Sequence, residues 1–144
     1  MQTALAAEHA AVYGYGVLGG RLRGALQQAA KTYWDAHRAQ RDKLVSILSV
    51  RPVAAAAGYR LPVKVTNARS AARLAAALED DLVPAYVGLA GAPAADLRVF
   101  AADSAERAMA RSAKWRASAG DGAPSAPFPG LPSTALSPRP EPGE

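Results

Sequence analysis

Glu8, His37, Glu79 and Glu106 are the residues of this chain whose types and positions could do chemistry together. Three carboxylates and one imidazole are oxygen and nitrogen donors of the kind that hold iron, manganese or zinc. Each stands near the middle of a separate Ala-rich helical stretch. With the first turn placed near residue 22, Glu8 lies 14 positions before it and His37 15 after. With the second turn near residue 92, Glu79 lies 13 before and Glu106 14 after. At about 1.5 Å per residue these offsets agree to within a turn of helix, so antiparallel pairing brings all four to one layer.

Depth is one condition and facing is another. His37 falls on the stripe of Tyr33, Leu44 and Leu48 and is expected to point inward. Glu79 sits at the edge of a leucine face, and Asp80 is expected to point the other way, into solvent. On the first stretch, Leu5, Val12 and Gly16 put His9 nearer the face centre and Glu8 toward its edge. The last stretch offers two stripes, one of Leu97, Phe100, Ala108 and Trp115 and one of Ala102, Glu106, Met109 and Ala113. Buried carboxylates need a counter-charge. A single metal ion would supply it; so would Arg41, one turn beyond His37, whose guanidinium can bind Glu8 or Glu79 bidentately.

Four helices must position these side chains. Periodicity predicts them over about Thr3–Leu18, Gly24–Ser49, Thr66–Ala90 and Ala94–Ser118. Gly19-Gly20, Arg51-Pro52 and Gly91-Ala92-Pro93 mark their ends. Pro84 lies inside the third, where it removes a backbone hydrogen bond and predicts a kink beside Glu79 and Asp80. The first and second helices, and the third and fourth, are joined by short turns and must be antiparallel neighbours. The 51–65 connection exceeds the roughly 2–8 residues an up-down bundle needs and could run the length of a helix. The order up-down-down-up follows, with a long crossover between helices two and three. Residues 1–119 are thus read as a four-helix bundle and 120–144 as a tail holding seven of the chain's eleven prolines, largely disordered. Phe128 and Leu131 are expected to dock in an apolar groove on the bundle.

The segments Ala4-Leu-Ala-Ala-Glu8-His9-Ala-Ala-Val-Tyr13-Gly-Tyr15-Gly16, Ala36-His37-Arg38-Ala39-Gln40-Arg41-Asp42, Leu78-Glu79-Asp80, Trp115-Arg116 and Phe128-Pro129-Gly130-Leu131 resemble a bacterial ferritin-like domain family of unknown function. The resemblance covers roughly the whole helical region and implies an all-α, ferritin-like four-helix bundle. It also implies a frame for the polar positions. Metal-binding members of that superfamily carry one Glu on each of two helices and a Glu-x-x-His on each of the other two. Glu8 and Glu79 match the lone glutamates. Trp34-x-x-His37 keeps only a histidine, and Glu106-x-x-Met109 only a glutamate. The degenerate set would suit one iron, manganese or zinc ion and not a dinuclear centre.

Composition narrows the rest. Of 144 residues half are hydrophobic, much of that alanine, which favours helix and close helix approach. No cysteine is present, which removes disulfides and thiolate chemistry. The formal charge of +5 is spread along the chain, so no nucleic-acid partner is expected. No apolar run approaches the roughly 18 residues of a membrane span, and no secretory leader is legible, so a cytoplasmic protein is the expectation. Gly14, Gly16, Gly19 and Gly20 follow no strand, which excludes a dinucleotide loop; close helix packing and a helix end are expected to account for them. Tyr13, Tyr15, Tyr33 and Trp34 read as core aromatics. The leading functional expectation is a non-catalytic scaffold or interaction protein, with an unidentified protein partner or self-association. The alternative is a metal-binding bundle with oxidase-type or iron-handling chemistry.

Overall fold

The computed structural model describes residues 1–123, Phe128 and Leu131. Four α-helices form, α1 (Gln2–Gly19), α2 (Gly24–Ile47), α3 (Ala68–Leu89) and α4 (Ala95–Ala119), with no strand among the described residues. Local chemistry sets several ends. Asn67 caps α3 by accepting from the Ser70 amide at 2.9 Å while Ser70 Oγ accepts from the Asn67 amide at 3.0 Å. Gly120 ends α4 in the left-handed region at φ 72°, which lets the Asp121 amide close back on Arg116 O at 2.9 Å. Helix α3 runs unbroken through Pro84.

Side-chain contacts fix the relative directions. Trp34 meets Val12 and His37 meets Glu8, so α1 and α2 are antiparallel. Tyr15 meets Glu79 and Tyr86 meets Glu8, so α1 and α3 are antiparallel too. Ser112 on α4 reaches Asp80 on α3, and Phe100 meets Tyr86 edge to face, giving a third antiparallel pair. Helices α2 and α3 therefore run the same way. The segment between them, residues 48–67, passes along the outer face of α1: Gln2 bonds Arg51 and Val53, His9 bonds Val53 O at 3.1 Å, and Tyr13 stacks on Tyr59.

Among the described residues, eleven of the 23 buried apolar side chains are alanines, and α3 and α4 carry eight of them, consistent with the extensive contact between these two helices. The apolar core falls into two clusters. One gathers Tyr15, Leu18, Leu22, Leu74, Leu78 and Trp115; the other gathers Leu5, Leu44, Leu82, Tyr86, Leu89 and Ala101. Between them lies a polar layer. Phe128, half-buried, rests on the second cluster, as expected of a docking residue. The expected disorder of the Pro-rich tail falls outside the described residues.

Candidate functional site: a buried carboxylate–imidazole–carboxylate layer

The layer is built from His37 outward. His37 lies on α2 between Ala30 and Leu44, the other buried residues of that helix, so spacing by sevens turns it into the core. Its Nδ1 is 2.9 Å from Glu8 Oε2 on α1 and its Nε2 is 3.1 Å from Glu79 Oε1 on α3. All three side chains are at most 1% exposed.

Two tyrosines close the ends. Tyr15 on α1 donates to Glu79 Oε1 at 2.6 Å, and Tyr86 on α3 donates to Glu8 Oε1 at 2.5 Å. These directions are forced. The Trp115 indole, which can only donate, gives a hydrogen bond to the Tyr15 hydroxyl at 2.8 Å, so the O–H of that hydroxyl must point at the carboxylate. Gln40 Nε2 likewise donates to the Tyr86 hydroxyl at 3.2 Å and to Ser104 Oγ at 3.0 Å. Burial first, and then the adjacent carboxylates, push both phenols well above their ordinary pKa, so each keeps its proton.

The surroundings of His37 favour its charged form. Each ring nitrogen faces a carboxylate oxygen, and each contact needs one proton. Burial works against the charged ring, but the hydrogen bonds to Glu79 and Glu8, and the negative charge of both, outweigh it and push His37 up to about 9. The ring is thus an imidazolium at neutral pH, donating from both nitrogens. Arg111 on α4 adds a second positive charge at the edge, its Nη1 3.9 Å from Glu79 Oε2 and its guanidinium 5.1 Å from the Tyr33 ring centroid. Two carboxylates and two cations leave the layer neutral. Glu79 Oε2 remains without a hydrogen-bond partner.

Glu8, His37 and Glu79 therefore meet, but Glu106 does not join them. It is exposed, because α4 buries the stripe of Ala101, Ser104, Ala108 and Trp115 and turns Ala102, Glu106 and Ala113 outward. Arg41 is not the counter-charge either; it pairs with exposed Asp42 at 2.8 Å, and His37 with Arg111 takes its place. Asp80 is not solvated as expected. Its side chain is 14% exposed and is held by Ser112 at 2.6 Å and by Arg116, because α4 covers that side of α3. Trp34 donates its indole N–H to Val12 O at 3.0 Å, and Met109 packs on the second cluster.

As arranged, these residues do not fit a metal ion. The two carboxylates lie on opposite sides of the imidazole, both ring nitrogens are hydrogen-bonded, and no group of three or more donors converges on a common point among the described residues. Sequence reasoning missed Tyr86, Gln40, Ser104 and Arg111 and gave Tyr15 and Trp115 no role in the layer. One signal was present: Glu8 and Tyr15, like Glu79 and Tyr86, are separated by six residues and so share a helix face.

No described helix is long and apolar enough to cross a membrane. The fold resembles the crystal structure of a conserved hypothetical protein, rv2844, from Mycobacterium tuberculosis, with a TM-score of 0.77 and 35% identity, over 81% of this chain and 91% of that one. No curated protein matches the chain. Residues 1–133 match the family described as a domain of unknown function, DUF4439, and the chain belongs to that family.

Proposed function

We propose that this chain is a ferritin-like four-helix bundle in which a buried imidazolium occupies the role of a metal ion, and that it acts as a non-catalytic scaffold or interaction protein. The up-down-down-up order of such a fold is supported by α2 and α3 running the same way with a long crossover between them. The metal-free reading rests chiefly on one observation: each nitrogen of His37 is engaged by a different carboxylate. A metal would have to displace the proton and part those contacts before it found a lone pair.

Nothing in the layer is poised to react. The phenols hold their protons, both carboxylates accept from fixed donors, and the layer is closed from solvent. Anaerobic titration with Fe(II), Mn(II) and Zn(II), followed by elemental analysis of protein purified from its native host without chelator, tests the reading. We expect at most weak binding of one ion. Two tightly bound equivalents of iron, with an oxo-bridged absorption on exposure to air, would overturn it.

The alternative, a single-ion site with iron-handling or oxidase-type activity, is favoured by Glu79 Oε2, a buried carboxylate oxygen that lacks a hydrogen bond. The same titration separates the two. Stoichiometric binding of one ion that Glu79→Gln abolishes would select it.

A further inference from the structure

We propose that the cleft between the C-terminal half of α1 and the N-terminal half of α2 binds a small, flat, largely apolar organic anion. Its volume of about 490 Å³ lies within the roughly 300–1,000 Å³ range of small-molecule sites. It is a different place from the polar layer, which it meets only at Tyr15.

Glycine holds the cleft open. Within α1, Gly14 has an evident packing reason, since a Cβ there would come 2.4 Å from Leu78 Cδ1. Gly16 and Gly19 have none: a Cβ at either would meet nothing within 4 Å. Close packing therefore explains one glycine of the series and not these two. Glycine inside a helix is unfavourable, and here it leaves an unfilled wall of the cleft.

Opposite that wall stands Trp34, whose ring is fixed by its hydrogen bond to Val12 O. A flat apolar group can slide between a rigid indole and bare helix backbone with little entropy lost by the protein. At the mouth are the amide of Gln27 and the ammonium of Lys31. Lys31 pairs with Asp35 at 2.7 Å; Arg38, beside the cleft and 4.7 Å from the Trp34 ring centroid, lies 3.8 Å from the other oxygen of that carboxylate, so two cations share one carboxylate and a net positive charge remains. Donors and net positive charge at an aromatic slot select an anionic group on the ligand.

Fluorescence titration of the full chain with anilinonaphthalene sulfonate, a flat apolar anion, tests the assignment. We expect saturable binding of one dye. Gly16→Leu, which fills the cleft from a position with open space, should weaken it at least about tenfold while circular dichroism stays that of the parent. Lys31→Glu, at a side chain 64% exposed and so harmless to the fold, should weaken the sulfonate several-fold and leave the uncharged anilinonaphthalene unchanged. Absence of saturable binding, or binding indifferent to both variants, would overturn the proposal. So would light scattering that finds a dimer dissociated by Gly16→Leu, because a second copy would then be the occupant.

Discussion

Tyr15 on α1 donates a hydrogen bond to Glu79 on α3, and the exchange is returned at the other end of the layer by Tyr86 and Glu8. The reciprocity follows from spacing alone. Two antiparallel helices that each carry Glu and Tyr two turns apart set every Glu opposite the other helix's Tyr. His37 then enters from α2 to bridge the two carboxylates.

Stability should fall in alkali. The folded-state pKa of His37 lies above its ordinary 6.5, at about 9. Its contribution is therefore fully present below about pH 6.5 and lost as pH rises through 9, a change on the order of 3 kcal/mol. Urea unfolding between pH 6 and 10 should show this decline, and His37→Gln should flatten it.

Removing one member of the layer should hurt more than removing all of it. His37→Leu leaves two buried carboxylates without their central cation and should cost about 3–5 kcal/mol. Replacing Glu8, His37 and Glu79 together by leucine, with Tyr15→Phe and Tyr86→Phe, should return stability to near the parental value or above it. Equilibrium denaturation of both variants checks the order.

The tyrosines should be unequal. Each loses a hydrogen bond to a carboxylate on mutation to Phe, worth about 1.5–3 kcal/mol. Tyr15→Phe also strands the buried Trp115 N–H, whereas after Tyr86→Phe the Gln40 amide still has Ser104. Tyr15→Phe should therefore be the more damaging, with a measurable change in Trp115 fluorescence.

Arg111→Met should destabilise by about 1–2 kcal/mol, because the Arg111 guanidinium lies 3.9 Å from the unpartnered oxygen of Glu79. Arg41→Met should stay within about 0.5 kcal/mol of the parent, since Arg41 only pairs with exposed Asp42. Thermal unfolding of the two variants side by side tests the pair.

The four helices were legible because alanine-rich periodic stretches are punctuated by Gly and Pro, and the depth count that aligned Glu8, His37 and Glu79 needs only the helical rise. Facing was legible where a stripe was single, as at His37. It failed on α4, where small residues on both sides gave two equivalent stripes and only packing against Leu82, Val83 and Tyr86 of α3 could choose between them. Arg41 was overvalued for its nearness in sequence to His37. Arg111 was invisible because its partner lies on another helix, and no local spacing encodes that.

The layer also orders events in time. The contact of Glu8 with His37 closes within the first hairpin, across 29 residues, whereas those of Glu79 with His37, Tyr15 with Glu79, Tyr86 with Glu8 and Trp115 with Tyr15 span 42, 64, 78 and 100. During synthesis the first hairpin can form with its ion pair still hydrated, and arrival of α3 is the step that strips water from the charges. That docking must clear a desolvation barrier, so folding should be slowed where helix joins helix and not where each helix winds.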